Sequence, residues 1–354
     1  MAPVKVAVLD DYKGHATSHF AKLDPAEFEV VYFPDTLLPY NHESTAQAEK
    51  DKLVARLEPF AVISTMRERT PFPAALIDRL PNLKLLLTTG GRNLGLDLEG
   101  FKKNNVPVVT SIDRGGPPVD GPDSTTQHFL TMLMAAARNV AMDDLSVKTG
   151  GWQTGLPPFG LVGRTYASVG LGRLGASTAK LLYQAFNMKI IAWSPNLTQE
   201  KADEQAVKHG LPAGTFTAVS RETLFREADV LAIHTMLSDR SRGLVTGADL
   251  ELMKQDSIFI NTSRGPIVVE ADLLDILKRG KINRAAIDVF DVEPLPADSP
   301  WRTTAWGGAD GSSQVLLTPH MGYGEKFTME KWYETQVENL LKWSRGEELP
   351  NRLV

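Results

Sequence analysis

Residues 165–194, TYASVGLGRLGASTAKLLYQAFNMKIIAWS, give the clearest indication of how this chain folds. The first part of this stretch, residues 166–169, is short, apolar and suited to a β-strand. Residues 176–186 are helix formers with apolar positions at helical spacing, and residues 189–193 again have the composition of a strand. A glycine-rich turn separates the first strand from the helix. The pattern therefore predicts a strand, a turn, a helix and a second strand.

Three glycines in this turn, Gly170, Gly172 and Gly175, have the spacing G-x-G-x-x-G. In such a turn the first glycine permits the tight bend, the second lets a pyrophosphate approach the backbone, and the third lets helix and strand pack closely. Free N–H groups and the dipole at the start of the helix favour a phosphate. A glycine triplet alone is weak, but one framed by strand, helix and strand indicates dinucleotide binding.

The residue that closes this unit bears on which dinucleotide is bound. An acidic residue about 20 positions past the glycines normally accepts hydrogen bonds from the adenosine ribose. Here the position holds Ser194, followed by Pro195 and Asn196, so no carboxylate is present to repel a 2′-phosphate. Ser194 and Asn196 are able to hydrogen-bond a phosphate, and Lys201 adds positive charge. We expect NADP(H) to be used at least as well as NAD(H); the alternative is a tolerant NAD(H) site with water in the gap.

Composition places the chain among globular proteins with more than one domain. Its 354 residues are long for a single hydrophobic core. The formal net charge of −5 provides no basic field for nucleic acid or an acidic membrane, and no apolar run approaches membrane-spanning length. The absence of cysteine excludes disulfides, thiolate metal sites and cysteine nucleophiles, and we expect no metal site. The N-terminus has the pattern of a first strand and not of a signal peptide, so we expect a cytoplasmic protein.

Short apolar runs separated by helical or loop segments recur along the chain, which is typical of parallel sheets covered on both faces. The runs lie at residues 4–9, 29–33, 61–65, 84–88, 106–110, 229–234, 257–261, 284–290 and 314–318. We predict an α/β fold of two doubly wound parallel-sheet domains, a Rossmann-type nucleotide-binding domain and a smaller flavodoxin-like substrate domain. The predicted bounds are 1–118 for the substrate domain, 119–321 for the nucleotide-binding domain and 322–354 for a C-terminal segment that returns to the substrate domain.

A segment rich in Gly, Pro and Asp, residues 113–123, is the predicted crossing between the domains. Ser124 is predicted to cap the long helix that follows. His128 lies near the start of that helix, and we interpret it as a packed or solvent-exposed side chain.

Three further strand ends carry an arginine, a carboxylate and a histidine, namely Arg264, Glu293 and His320. In open α/β sheets, ligands bind beyond the carboxyl ends of the strands. A guanidinium holds a carboxylate bidentately, and an imidazolium donates a proton to a carbonyl oxygen as hydride reaches the carbon. A carboxylate beside the ring fixes its tautomer and favours its charged form. Each residue alone has a structural explanation, but their joint placement favours reduction of a 2-keto acid.

The chain resembles the D-isomer-specific 2-hydroxyacid dehydrogenases over nearly its whole length. The resemblance is carried, in the family order, by VGLGRLG at 169–175, NTSRG at 261–265, AAIDVFDVEP at 285–294 and TPHMG at 318–322. It implies a D-2-hydroxyacid dehydrogenase or 2-keto acid reductase. Arg264 would bind the substrate carboxylate and carbonyl, His320 would be the acid/base and Glu293 its partner.

The resemblance also implies binding residues. Asp288 would face the nicotinamide carboxamide, Arg173 and Leu174 would follow the pyrophosphate, and Thr235 and Thr262 would line the cofactor. Relatives form homodimers through the nucleotide-binding domain and its long helix, so residues 124–150 are the expected contact between two copies.

In the first domain, LLLTTGGRNLGLD at residues 85–97 looks like the family's substrate-carboxylate loop. The backbone around Gly91, Arg92 and Asn93 would approach the substrate, although these residues depart from the commoner glycine–hydrophobic pattern. Arg67 matches a position that reaches the substrate in relatives. A solvated arginine in a charged loop is an equal alternative for Arg67.

Three alternatives stay open at this point. The segment TTAWGGADGSSQ, residues 303–314, is expected to be a mobile surface insertion, or else part of a lid or a dimer contact. A dinucleotide-binding regulator, like the corepressors of the superfamily, would use the same scaffold without turnover. Formate dehydrogenase is disfavoured, because enzymes of that type lack the glutamate that Glu293 supplies.

Overall fold

The computed structural model describes residues 2–91, 93–112, 121–307 and 311–354. The chain separates into two compact units. The first comprises Met1–Val119, Val292–Pro294 and Gly324–Val354; the second comprises Asp120–Asp291 and Leu295–Tyr323. The short segment Val292–Pro294 thus groups with the first unit, whereas the sequence predicts it within the nucleotide-binding domain.

The first unit is built on a sheet of five parallel strands. They are β1 (Val4–Leu9), β2 (Phe28–Phe33), β3 (Val62–Thr65), β4 (Leu85–Thr89) and β5 (Val108–Ser111). Their order is β2-β1-β3-β4-β5, which is the flavodoxin-like order and confirms that prediction. Three of them, β3, β4 and β5, are buried along their whole length, as expected for parallel strands covered on both faces.

The helices of the first unit are α1 (Thr17–Phe20), α2 (Gln47–Leu57), α3 (Ala74–Ile77), α4 (Leu98–Lys103) and the C-terminal helix (Lys326–Ser344). The C-terminal helix buries Trp332, Tyr333 and Leu340 and packs beside β4 and β5. The last helix of the chain therefore belongs to the core of the first unit.

The second unit is built on a sheet of seven parallel strands. They are β6 (Thr165–Val169), β7 (Lys189–Trp193), β8 (Phe216–Ala218), β9 (Val230–Ile233), β10 (Ile258–Asn261), β11 (Arg284–Ile287) and β12 (Gln314–Leu317). Their order, β12-β11-β10-β9-β6-β7-β8, is the Rossmann order with one more strand at the edge, which confirms the predicted fold. The sequence pattern does not predict β8, a three-residue strand in which only Phe216 is buried.

Helices cover this second sheet. They are α5 (Ser124–Ala137), α6 (Val140–Lys148), α7 (Arg173–Phe186), α8 (Gln199–Lys208), α9 (Arg221–Glu227), α10 (Gly247–Leu250), α11 (Glu270–Lys278), α12 (Pro300–Thr303) and a 3-10 helix at Gly265–Ile267. The predicted cap of α5 is wrong by one residue. The Asp123 carboxylate accepts a hydrogen bond from Thr126 N at 2.9 Å, so Asp123 is the N-cap and Ser124 is the first helical residue.

The described part of the predicted insertion is anchored to the second unit. Trp301 is buried against Phe290, with ring centroids 5.9 Å apart, and its carbonyl accepts a hydrogen bond from Trp306 Nε1 at 2.9 Å. At the other end, Ser313 is buried and donates to the carbonyl of Leu277 at 2.8 Å. Outside residues 308–310, which are not described, the segment packs onto the core and is not a free excursion.

In the ranges that the structure describes, no helix combines the length and the apolar character needed to cross a membrane.

Candidate active site

The glycine-rich turn joins β6 to α7 and leaves little room for side chains. Gly170 has a φ of 98°, a left-handed conformation that glycine adopts without strain. A Cβ at Gly170 would lie 2.8 Å from the carbonyl oxygen of His234, and one at Gly175 would collide with the carbonyl oxygen of Gly170. The first and third glycines are thus required by the close packing of β6, α7 and the end of β9.

Gly172 has a different environment. It is the N-cap of α7 and has no side chain to hydrogen-bond the first N–H groups of the helix. Among the described residues, no atom lies within 4 Å of the place where its Cβ would be. The open space and the N–H groups of the helix fit the pyrophosphate of a dinucleotide.

The next two residues begin α7. The guanidinium of Arg173 forms an ion pair with Asp123. Burial favours a raised pKa for Asp123, but hydrogen bonds from Arg173 and Thr126 outweigh it and lower the pKa. Leu174 is half-buried. Both residues stand on the first turn of α7, and their contact with a pyrophosphate stays a prediction.

The turn after β7 holds the residues predicted to select the cofactor. Ser194 is half-buried and accepts a backbone hydrogen bond from Leu197 N at 3.1 Å, while Asn196 is exposed. The ammonium of Lys201 donates to the carbonyl of Asn196 at 2.9 Å, which places a positive charge at this turn.

Hydrogen bonds join the carboxyl ends of β6, β9 and β10. Thr235 donates its hydroxyl hydrogen to the carbonyl of Val169 at 2.9 Å, and Ser263 donates to the carbonyl of Thr235 at 2.6 Å. Thr262, which directly precedes Ser263, is buried. Thr235 therefore lies beside the glycine turn, and Thr262 follows β10 on the same edge of the sheet.

Arg264 follows β10 in a loop with fixed geometry. Asn261 accepts a hydrogen bond from Ser263 N at 3.0 Å and donates one to the carbonyl of Arg264 at 3.1 Å. The half-buried Arg264 donates from Nη1 to the carbonyl of Ser263 at 2.7 Å. A Cβ at Gly265 would collide with the backbone of Phe290, so this loop packs directly against the chain that follows β11.

His320 lies after β12 in a loop, residues 318–322, called the His320 loop here. Its φ of 52° is left-handed, which is uncommon for a residue with a side chain. His320 N donates to the carbonyl of Asp288 at 2.7 Å, and the half-buried imidazole meets the ring of Tyr323 edge-on at 6.2 Å.

The carboxylate of Asp288 holds the same loop. It is completely buried and accepts hydrogen bonds from Thr318 Oγ1 at 2.6 Å, Met321 N at 2.8 Å and Gly322 N at 3.0 Å. Burial favours a raised pKa for Asp288, but hydrogen bonds from His128, Thr318 and Met321 and the charge of His128 together lower it. That Asp288 faces a nicotinamide stays a prediction. In the structure, its carboxylate holds the His320 loop through hydrogen bonds.

His128 is the contact that the sequence interpretation missed. Its Nε2 lies 3.1 Å from Asp288 Oδ1 and 3.3 Å from Thr318 Oγ1. The sequence favours a packed or exposed side chain for His128, and no local pattern indicates this contact, since α5 and β11 are far apart in the sequence. The sequence gives one indication of this contact, since His128 is a polar residue next to Phe129 on a helix whose buried residues are mostly apolar.

Glu293 lies in the segment that groups with the first unit, and it is half-buried. The second unit by itself brings together, on the carboxyl edge of its sheet, the glycine turn, Thr235, Thr262, Arg264, Asp288 and His320.

In the first unit, Arg67, Gly91 and Asn93 meet at the ends of β3 and β4. Arg67 has a left-handed φ of 52°, its N–H donates to Thr89 Oγ1 at 2.9 Å, and its carbonyl accepts from Asn93 Nδ2 at 2.6 Å. The Arg67 guanidinium lies over Gly90, where a Cβ would collide with it. Gly91 is exposed beside this pair, and Arg92 lies outside the described residues. The close contact between Arg67 and Gly90 is a feature that the sequence did not predict.

Across the described ranges, no group of three or more histidine or acidic side chains is placed to hold a metal ion.

Comparison with known proteins gives a consistent result. A sequence model of the family described as "D-isomer specific 2-hydroxyacid dehydrogenase, NAD binding domain" matches residues 130–322. The chain is 33% identical to a glyoxylate reductase of Aeropyrum pernix, over 78% of this chain and 78% of that protein. It is 25% identical to a hydroxypyruvate reductase of Blautia hydrogenotrophica, over 86% and 88%.

Among solved structures, the chain is similar to a phosphoglycerate oxidoreductase from Vibrio cholerae, with a TM-score of 0.78 and 31% identity over 97% of this chain and 99% of that one. With the glycine turn and the strand-end residues in place, the chain belongs to the D-isomer specific 2-hydroxyacid dehydrogenases, oxidoreductases that act on the CH–OH group with a nicotinamide cofactor.

Proposed function

We propose that the protein reduces a small 2-keto acid to the D-2-hydroxy acid, and catalyses the reverse oxidation, with His320 as the acid/base. One observation carries this proposal. The second unit places a histidine in a tightly held loop on the same sheet edge as an arginine and an open dinucleotide turn. The relatives named glyoxylate reductase and hydroxypyruvate reductase support a short 2-keto acid as substrate.

The nicotinamide, when bound, supplies or accepts the hydride; the protein binds, orients and moves a proton. Arg264 binds the substrate carboxylate and polarises the neighbouring carbonyl. His320, as imidazolium, donates its proton to the carbonyl oxygen in reduction, and as neutral imidazole accepts the hydroxyl proton in oxidation. We give Glu293 the role that the sequence predicts for it, the carboxylate partner of His320.

In the first unit, we propose that the backbone at Gly91 and Asn93 binds the substrate carboxylate and that Arg67 reaches the substrate. The support is the geometry of that unit alone. Left-handed backbone conformations at Arg67 and Gly90 are concentrated at two neighbouring strand ends, and such conformations cluster at ligand sites. The Arg67 side chain lies over Gly90, the residue that directly precedes Gly91.

We further propose that NADP(H) is preferred over NAD(H). The turn after β7 contains no carboxylate from Ser194 to Gln199, and Lys201 brings a positive charge to Asn196. A 2′-phosphate is attracted by that charge and meets hydroxyl and amide donors.

We propose that two copies associate through α6. No residue of this fully described helix is buried, although Val140, Leu145 and Val147 are apolar and the following Trp152 is 75% exposed. A nine-residue helix is marginal in water without packing, and an apolar surface of this kind marks an interaction site. Sedimentation equilibrium should give a dimer, and Leu145→Glu should shift it toward monomer.

The test is steady-state kinetics with glyoxylate, hydroxypyruvate, pyruvate, 2-ketoisocaproate and phenylglyoxylate, each with NADPH and with NADH. We expect cofactor oxidation with at least one of these acids. Tight binding of the cofactor without turnover of any acid would favour the regulator, and failure to bind either cofactor would contradict both readings.

A further inference from the structure

We infer that His128 is a positioning residue for the reaction: from α5 it holds Asp288, and Asp288 in turn sets the backbone of the His320 loop. The inference rests on the proposed function of His320. All of its contacts lie within the second unit, between α5, the end of β11 and the loop after β12.

The hydrogen bonds around Asp288 determine which atom of His128 carries a hydrogen. The lowered pKa of Asp288 keeps the carboxylate ionised, so both of its oxygens only accept. The single hydroxyl hydrogen of Thr318 points to Asp288, at 2.6 Å. We therefore assign the hydrogen of His128 to Nε2, which donates it to the carboxylate at 3.1 Å, with the hydroxyl oxygen of Thr318 close by at 3.3 Å.

The environment makes this donor important. The Asp288 side chain is 0% exposed, and that of His128 is 18% exposed, so water has little access to replace the bond. Burying an ionised carboxylate costs free energy unless it is hydrogen-bonded, so the loss of any one donor destabilises Asp288. Gly322 also packs here, since a Cβ at that residue would lie 3.7 Å from His128 Cδ2. His128 therefore closes the side of the Asp288 site that faces α5.

Asp288 also fixes the backbone of His320, the proposed acid/base. Asp288 accepts hydrogen bonds from the N–H groups of Met321 and Gly322 with its carboxylate and from that of His320 with its carbonyl. These three consecutive bonds hold His320 in a left-handed conformation that L-residues avoid. Without His128 the buried carboxylate loses one of its four hydrogen-bond donors and is held less firmly, so the loop loses part of the fixed geometry that proton transfer needs.

The first arm of the test compares kinetics of His128→Leu, which has no donor, with His128→Gln, whose amide places an N–H near the Nε2 position. Loss of residues that orient the ligands of a metal changes activity by about 10–100-fold, and we expect an effect at the lower end of that range for a residue that orients a loop. We expect His128→Leu to lower kcat by about tenfold or more, with substrate KM and cofactor Kd within about threefold of wild type, and His128→Gln to recover most of kcat. Equal losses in both variants, or unchanged kcat in His128→Leu, would overturn the inference.

The second arm reads the loop directly and needs no turnover. Hydrogen–deuterium exchange of the peptide that contains residues 318–322 should be faster in His128→Leu than in wild type, and near wild type in His128→Gln. Unchanged exchange in His128→Leu would overturn the inference even if the enzyme is active. If the wild type is inactive but the expected exchange difference is seen, the proposed function is contradicted. The inference that His128 holds the loop would still be supported.

Discussion

Two aspartates, Asp10 in the first unit and Asp288 in the second, occupy comparable positions and have opposite properties. Each follows a parallel strand directly and is buried. Burial raises the pKa of Asp10 to about 6, and hydrogen bonds from Thr36 and Thr70 with the charges of Arg69 and Arg56 only partly oppose it. In Asp288 the same burial is outweighed, and the pKa falls below its ordinary value.

The difference lies in the donors. Asp10 accepts from two hydroxyl groups, at 2.5 Å from Thr36 and 2.8 Å from Thr70. Asp288 accepts from one hydroxyl, two backbone N–H groups and an imidazole. Backbone donors are fixed in place and therefore stabilise the charged form more than hydroxyls that are free to rotate. Burial alone therefore does not tell which carboxylate stays ionised; the set of donors does.

The loop that Asp288 holds contains His320, the proposed acid/base, and replacing this histidine should have the largest effect. We expect His320→Ala to lower kcat by about 10²–10⁴-fold, the usual contribution of a positioned acid/base. Cofactor affinity, measured by fluorescence titration, should stay within about threefold. The matched control is His209→Ala, a half-buried histidine directly after α8. A kcat near wild type in His320→Ala would remove His320 from the chemistry.

The same substitution at both aspartates should give opposite dependence of stability on pH. The folded pKa of Asp10 lies above the unfolded value, so its stabilisation is complete below pH 3.8 and is lost as the pH rises through about 6. Moving a carboxyl pKa from 3.8 to about 6 corresponds to about 3 kcal/mol. Asp10→Asn, uncharged throughout, should therefore gain up to about 3 kcal/mol relative to wild type between pH 4 and pH 8.

Asp288→Asn should behave in the reverse way. Its pKa is lowered, so its stabilisation is present above the unfolded value of 3.8 and is lost as the pH falls through the lower folded value. The variant should be most destabilised near neutral pH, by about 3 kcal/mol as for a broken buried charge pair, and less so in acid. Scanning calorimetry from about pH 2 to pH 8 covers both windows. Parallel curves for the two variants would refute the contrast.

Much of the fold was predictable from the sequence, because apolar runs between glycine-rich turns determine parallel strands locally. The runs at 4–9 and 189–193 coincide with β1 and β7. By contrast, β8 has a single buried residue and gives no such signal. The contacts of His128 and the different donors of the two aspartates depend on residues far apart in the sequence, so no local pattern reveals them.

A third strand end extends the comparison, since the turn after β7 has no carboxylate at all. We expect kcat/KM to be higher with NADPH than with NADH for wild type. Ser194→Asp should lower kcat/KM with NADPH by about tenfold or more, because its carboxylate would repel the 2′-phosphate and such a like-charge contact costs up to several kcal/mol. The value of kcat/KM with NADH should change less. Ser194→Asn is the matched control without charge. A strong NADH preference in wild type would contradict the proposed cofactor.

The smallest effect is expected for the carboxylate of Asp123, which is partly exposed to solvent. Asp123 caps α5 through Thr126 N and pairs with Arg173, and its side chain is 22% exposed. Asp123→Ala should cost about 1 kcal/mol of unfolding free energy for the lost cap, measured by urea denaturation. Asp123→Asn keeps a capping oxygen and loses the charge, so it should cost only a fraction of that, because a partly exposed ion pair contributes about 0–1 kcal/mol. Equal losses in both variants would show that the ion pair with Arg173, and not the cap, carries the stability, and would mean that the charge of Asp123 matters more than its set of backbone donors.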